Sequence, residues 1–565
     1  MAHLTQQAQS LYELFEQAAA TYTDQPAMSL IEQLSPISAR SLSSAELFAG
    51  INRTIDVLRT VSATAKPVVA ILLPSTFETQ YVLWGAACAG IACPINPLLN
   101  TESLAALINR AKADVIVALG PVPGSDIWQK VQQAQTLLER STPVIACLAP
   151  AGEYFFNALW QAASAAPLAP NERPQPLDIA AYFHTGGTTG APKLACHSHA
   201  NQLAAACAFA RSMGLGPGDS ILNGLPMFHV AGSLATALGA LACGVHMVLP
   251  TPSGLRNPEV IKAHWRIVEQ FKLSVTGGIP TSINAMLECP IDADIASLKY
   301  FISGGAPIPA ALCERVKQLT GRELYQIYGM TECTGVITMP NLNAPSVPGS
   351  AGFVSGPIEV KADASGELHV KGPTVFAGYL GIEDSGVVDG WLKTGDLGHV
   401  DERGNLFITG RAKDVIIRGG HNIDPAWIED CLQSHPDVAL AAAVGMPDEY
   451  AGELPVAFVQ LRQGAAADAQ TLRDYALSHI AERPAAPKKV FLVDSLPITA
   501  VGKIYKVRLR ELALEALLAE RLPHIATRAY HSPQGQLCVE FCATANEHDD
   551  LQSLAKALNF GVTFA

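Results

Sequence analysis

Val68-Val-Ala-Ile-Leu-Leu73 is a short apolar run with β-branched residues, and Thr79 to Ala89 follows it with helical composition. Working outward, Val115 to Ala118 and Pro143 to Cys147 repeat the strand pattern, the first of them preceded by a second helical stretch, Leu104 to Ala111. Short β-rich runs alternating with helices are the pattern of parallel sheets covered by helices. Past a Pro-rich joint at Pro167 to Pro176 the rhythm resumes in Val245 to Leu249, Ser274 to Gly278 and Tyr300 to Ser303. An α/β body results, larger than one doubly wound unit and so expected as stacked subdomains.

From Gly349 to Gly410 short strands are punctuated by turn signals such as Asp363-Ala-Ser-Gly366 and Asp401-Glu-Arg-Gly-Asn405, which predicts a β-rich subdomain. The polar segment Gly410-Arg-Ala-Lys-Asp414 reads as a linker into a βαβ-like piece, Val415 to Leu522. The expected division is an N-terminal domain over 1–410, a smaller α+β C-terminal domain over 411–524 and an extension over 525–565. The extension carries a hairpin turn at Ser532-Pro-Gln-Gly535 and an amphipathic helix with Leu551, Leu554 and Leu558.

Apolar residues form 49% of the 565 and charged residues 16%, a composition able to fill large cores. Net charge is −13 with Lys and Arg dispersed, so a nucleic-acid partner is not expected. The 12 cysteines stand singly without C-x-x-C pairs, and the start Met1 to Phe15 reads as an amphipathic helix, not a signal peptide. Reduced thiols and a cytoplasmic protein are expected. Gly232 to Leu249 is uncharged, but with Ser233, Thr236 and His246 it predicts a buried helix running into a strand and no transmembrane segment.

The densest chemical signal is Tyr182-Phe-His-Thr-Gly-Gly-Thr-Thr-Gly-Ala-Pro-Lys193, on the end of an apolar strand. Gly186, Gly187 and Gly190 let backbone N–H groups converge on an anion, Thr185, Thr188 and Thr189 add hydroxyl donors and Lys193 adds charge. The spacing is not that of a Walker A loop, and Pro192 lacks the N–H such a helix start would offer.

This loop resembles the phosphate-binding signature of the acyl-adenylate-forming superfamily, in its acyl-CoA synthetase branch. Further segments resemble the family's motifs in order: Leu225-Pro-Met-Phe-His229, Ser303-Gly-Gly-Ala-Pro307, Tyr325-Gln-Ile-Tyr-Gly-Met-Thr-Glu332, Trp391-Leu-Lys-Thr-Gly-Asp396, Gly410-Arg-Ala-Lys-Asp414 with Gly419-Gly420, and Pro497-Ile-Thr-Ala-Val-Gly-Lys503. The likeness spans roughly 10 to 520 and leaves out the extension. It implies an ATP-dependent ligase that activates a carboxylic acid as acyl-AMP and passes the acyl group to coenzyme A.

On that reading Lys503 and a Mg²⁺ ion neutralise the α-phosphate, Glu332 is the metal ligand and Thr331 donates to the phosphate. Tyr328 with Gly329 offers a face for adenine, Gly304, Gly305 and Ala306 form a thin backbone wall beside it, and Asp396 and Arg411 hold the ribose. The resemblance further implies a mobile C-terminal domain hinged at Lys413, with Gly419 and Gly420 lining a pantetheine tunnel, and His229 as a gate. Each assignment has a plainer competitor: an exposed turn for Glu332, a core ring for Tyr328, turn capping for Asp396, a core histidine for His229.

No carboxylate follows Phe228 within His229-Val-Ala-Gly-Ser233, which disfavours an amino-acid substrate. Ala231, Gly232, Ala235, Gly277 and Gly278 suggest a roomy apolar pocket for a fatty, alicyclic or aryl acid, with tight helix packing as the competing account. The alternatives are a stand-alone adenylating enzyme loading a carrier protein and a non-catalytic adenylate-binding module. A homo-oligomer is left open.

Overall fold

The computed structural model describes residues 4, 7–150, 154–185, 193–419, 421–480, 482–499, 503–532 and 536–564. Gly186, Gly187, Thr188, Thr189, Gly190 and Gly420 therefore lie outside the described residues, as do most of the extension's turn and residues 500–502 of the Lys503 motif.

Two seven-stranded sheets build the N-terminal body. One runs in the order Tyr154–Phe155, Val144–Cys147, Val115–Leu119, Val68–Leu72, Ile91–Pro94, Ile179–Thr185, Lys193–Ser198, parallel except for its last pair. The other runs Leu324–Ile327, Tyr300–Gly304, Val275–Gly278, Ser220–Leu222, His246–Leu249, Pro26–Leu34, Ile37–Ser43, again with one antiparallel edge. Strand order reverses inside each sheet, and ligands of such sheets sit beyond the carboxyl ends of the strands.

Helices join the sheets. Phe77–Ala89 is buried along nearly its whole length, as its lack of a polar face requires. Leu11–Thr21 packs beside it and buries Leu11, Tyr12, Leu14 and Phe15. This helix starts later than the expected Met1 to Phe15 because Ser10 caps it, accepting from the Glu13 N–H. Gly232 to Leu249 is the expected buried helix and strand: a π-helical turn over Ala231–Leu238, a short helix Gly239–Ala242, then His246–Leu249. Among the described residues no helix is long and apolar enough to cross a membrane.

The β-rich section is an antiparallel sheet that includes Ser350–Val354, Asn405–Arg411, Trp391–Val400, Glu367–Lys371 and Glu359–Ala362. Its strand Asn405–Arg411 hands the chain through residues 412–415 to a separate sheet of Ile416–Arg418, His421–Ile423, Val438–Asp448, Gly452–Leu461 and Lys489–Leu492.

The extension is not a loose tail. Ala526–His531, Leu537–Cys542 and Gly561–Phe564 form a three-stranded sheet under the helix His548–Leu558. Val539, Phe541, Leu551, Leu558 and Phe560 share one core with Leu509, Leu514 and Leu518 of the helix Lys506–Arg521 and with Val444 and Phe458 of the preceding sheet. Each such side chain contributes about 1.5–3 kcal/mol by leaving water.

Candidate active site

The site forms where three units meet: the carboxyl ends of the parallel strands, the β-rich sheet and the loop that precedes the helix Lys506–Arg521. From the first come Thr185, the last residue of Ile179–Thr185, and Gly304 and Gly305, at the end of Tyr300–Gly304. Gly305 adopts φ +83°, a left-handed geometry that favours glycine. A Cβ there would also meet Lys503 Cε at 3.2 Å, so the bare backbone makes room for the lysine stem. Gly304 packs against Ile327 of the next strand, and Ala306 is half-buried.

Lys503 is delivered by a tight loop. The Thr499 N–H donates to the Lys503 carbonyl at 2.7 Å, Thr499 Oγ1 accepts from the Lys503 N–H at 3.1 Å, and Tyr505 N–H donates to the Pro497 carbonyl at 2.8 Å. Burial and the Arg411 cation push its ammonium below the ordinary lysine range, against the opposing fields of Asp396 and Glu332. One lysine from this loop thus feels the Glu332 carboxylate and, on the β-rich sheet, Asp396 and Arg411.

Asp396 is 3% exposed. Its Oδ1 pairs with Arg411 Nε at 2.9 Å across the register of the two adjoining strands, and its Oδ2 accepts from the Tyr328 hydroxyl. The Tyr328 N–H donates to Thr338 Oγ1 at 2.8 Å, so the residue is held at both ends; it is neither fully in the core nor free. Asp396 is no turn cap: its two oxygens are aimed at site residues. Gly329 is pressed against the Gly335 carbonyl, 2.0 Å from where a Cβ would stand, so close packing forbids a side chain there.

Glu332 is 9% exposed, not an open turn residue. Its Oε1 accepts from the Tyr379 hydroxyl at 2.5 Å, and its carbonyl accepts from Phe376 N–H at 2.9 Å. The Thr331 carbonyl accepts from His197 Nε2 at 2.8 Å. Burial pushes the His197 imidazole down to about 4, so it is neutral and its Nε2–H is the donor. Lys193 Nζ lies over the Tyr379 ring, 4.7 Å from its centre. Hard oxygen donors of this kind, a buried carboxylate with a threonine beside it, suit Mg²⁺.

His229 Nδ1 accepts from the Ala231 N–H at 3.2 Å. Burial, then the nearby Lys503 and His184, hold the imidazole down to about 3, so it is neutral at pH 7 and, with Nδ1 accepting, carries its proton on Nε2. His184, also lowered by burial to about 4, accepts from the Asn96 N–H through Nε2 at 3.1 Å and stacks on Phe228. The ring of His229 therefore belongs to the site and not to a remote core.

Other expected residues stand apart. Lys413 is exposed in the connection, and Gly419 is exposed at φ +56° with open space where a side chain would begin. The roomy-pocket reading is corrected in part. A Cβ at Gly232 would strike the Pro226 carbonyl at 2.4 Å and one at Gly277 the Ile302 carbonyl at 1.9 Å, and Ala235 is 4% exposed within a core cluster. These three are packing positions. Gly278 is different: it faces the Leu255 side chain and Ser282, beside Ile279, which also approaches Gly305. Reading the sequence missed Tyr379, His197 and His184. His184 stands within the quoted phosphate motif, whereas nothing local marks Tyr379, whose partner lies 47 residues away.

Residues 15–380 match the model of the AMP-binding enzyme family, and 427–503 match the AMP-binding enzyme C-terminal domain. The chain belongs to the AMP-binding enzyme family. Similar curated relatives of this AMP-binding enzyme include the marinolic acid–CoA ligase of Pseudoalteromonas sp. (strain SANK 73390), 36% identical over 484 residues that cover 78% of this chain and 71% of the relative. The indoleacetate–CoA ligase of Aromatoleum aromaticum is 32% identical over 503 residues, covering 85% and 95%. Among solved structures, ATP-bound MatB from Rhodopseudomonas palustris superposes with TM-score 0.77 at 27% identity, covering 89% of this chain and 99% of its own. The o-succinylbenzoate CoA synthetase of Bacillus subtilis, solved with its acyl-adenylate intermediate, gives 0.73 at 26% identity, covering 88% and 97%. The family's mixed α/β architecture, with a large N-terminal and a smaller C-terminal domain, is the one described above.

Proposed function

We propose that this AMP-binding enzyme is an acid–CoA ligase: it converts a fatty, alicyclic or aryl carboxylic acid to its acyl-adenylate with release of pyrophosphate, then transfers the acyl group to coenzyme A. The observation that carries the reading is that Lys503 lies against the bare Gly305 backbone, buried and within the electrostatic reach of Glu332, Asp396 and Arg411. Carboxylate attack on ATP brings two anions together, and a desolvated ammonium at the α-phosphate offsets the charge that develops. Asp396 accepts the ribose hydroxyls on the lone pairs that Arg411 and Tyr328 leave, and the Tyr328 ring flanks the adenine. Neutral His229 gives the acid end of the site a donor without adding charge. Mg²⁺, held by Glu332, would supply further charge neutralisation at the phosphates.

Thiolysis needs the space that Lys503 fills. The exposed connection at Lys413 supports a hinge there, with Gly419 and Gly420 brought round to admit pantetheine. All twelve thiols are unpaired, which supports a reducing, cytoplasmic setting. The test is pyrophosphate release with ATP and Mg²⁺ over short, medium, aryl and alicyclic acids, with and without coenzyme A. Release with one acid class and a CoA-dependent thioester is the expected result. Release without thioester would move the acceptor to a carrier protein, and silence across the panel would overturn the catalytic reading.

A further inference from the structure

We propose that Tyr379 is a positioning residue that aims the Glu332 carboxylate at the metal, and that it ties this carboxylate to the strand leaving the phosphate loop. The inference rests on the reading of Glu332 as metal ligand.

Several observations converge on this tyrosine. Its hydroxyl donates to Glu332 Oε1 at 2.5 Å, and among the described residues no other hydrogen bond reaches that carboxylate. A carboxylate 9% exposed demands partners, and a single donor on Oε1 leaves Oε2 for a cation. Carboxylates that ligate metals are themselves oriented by hydrogen bonds, and loss of such a partner typically lowers metal affinity about 10–100-fold.

The backbone around Tyr379 is held by hydrogen bonds on both sides of the ring. Residues 377–380 run beside Lys193–Ser198: Cys196 N–H donates to the Gly378 carbonyl and Ala377 N–H to that of Cys196, both at 2.9 Å, and Leu380 N–H donates to the Leu194 carbonyl at 2.9 Å. One step earlier Phe376 N–H donates to the Glu332 carbonyl, and the Phe376 ring meets the Tyr379 ring edge-on at 4.8 Å. Lys193 Nζ covers the ring at 4.7 Å; a cation there draws density from the ring and strengthens the hydroxyl as a donor. His197 on the same strand holds the Thr331 carbonyl. One strand thus carries Lys193 at its first residue and anchors both members of the Thr331–Glu332 pair, Thr331 directly and Glu332 through Tyr379.

The experiment uses the full chain and Tyr379→Phe, which keeps the ring under Lys193 and removes only the hydroxyl. Binding of the non-hydrolysable α,β-methylene-ATP is measured twice, as its Mn²⁺ complex by electron paramagnetic resonance and metal-free in EDTA by fluorescence. The expected result is an affinity for the Mn²⁺ complex weakened about 10–100-fold with metal-free binding unchanged. Equal weakening of both, or no change in either, would overturn the proposal, the first by showing a purely structural role. Glu332→Gln separates the two layers. If it abolishes the metal-dependent gain in affinity while Tyr379→Phe does not, the positioning role fails alone; if it leaves that gain intact, the ligand assignment fails and the proposal with it.

Discussion

Replacing Lys503 with alanine removes the cation that the loop before Lys506–Arg521 inserts beside Gly305, within the fields of Asp396 and Glu332. The neighbouring cation, Arg411, is already committed to Asp396 at 2.9 Å and cannot move to the phosphate without uncovering a buried carboxylate. Loss of one preorganised charge-stabilising donor lowers a rate roughly 10²–10³-fold, about 2.7–4 kcal/mol. The loss belongs to the first half-reaction only, since on the hinge reading Lys503 is withdrawn from the phosphate before the thiol attacks and AMP departs. Two assays on one preparation check this: pyrophosphate release from acid and ATP, and thioester formation from supplied acyl-AMP and coenzyme A. The same lysine sets a pH limit. Because burial and Arg411 lower its ammonium below the ordinary value of about 10.4, adenylation in the wild type declines on the alkaline side before an exposed lysine would lose its proton. Equal loss in both half-reactions of Lys503→Ala, or an alkaline decline shared by thiolysis, would refute the assignment.

Lys503→Met should raise thermal stability at pH 7 while destroying adenylation: a lysine whose folded value is depressed weakens the fold below that value and relieves it as pH rises toward the unfolded one, and an unchanged melting temperature would remove the desolvation argument. Gly305→Val places a branched side chain at φ +83° and 3.2 Å from Lys503 Cε, so adenylation should fall while thiolysis of acyl-AMP persists; wild-type pyrophosphate release would show that the lysine reaches the site another way. Gly419→Leu should do the reverse, sparing pyrophosphate release and blocking thioester synthesis, and unchanged thioester synthesis would take this glycine out of the pantetheine path. Phe541→Ala, at a fully buried position in the core that the extension shares with Lys506–Arg521, should destabilise the C-terminal domain by about 3–5 kcal/mol in denaturant unfolding; a loss under about 1 kcal/mol would mean the extension is detachable.

Much of this site is legible in the sequence because its chemistry is local. A phosphate loop needs clustered glycines and hydroxyls close together in the chain, and Tyr328, Thr331 and Glu332 follow one strand within five residues, so order along the chain groups the candidates. The same holds for the fold: strands such as Val68–Leu72 and Val115–Leu119 are apolar throughout because both faces of a parallel sheet are covered, and that pattern survives without knowledge of the partners. Small residues are where local reading fails. Gly232 and Gly277 look like room for a substrate, yet each is held against a neighbouring carbonyl, and only the packed backbone distinguishes them from Gly278, which faces Leu255.

The sequence by itself determined the strand and helix rhythm, the ordered motifs and the identities of the charged groups, since these follow from composition over short windows. Tertiary structure alone decided which of those groups face one another. Lys503 comes within the electrostatic reach of Asp396 and Glu332, Tyr379 bonds Glu332 across 47 residues, and the extension closes a shared core. Pairings of that kind depend on how sheets stack and where a linker turns, and no periodicity in the chain encodes the distance between two side chains that only folding brings together.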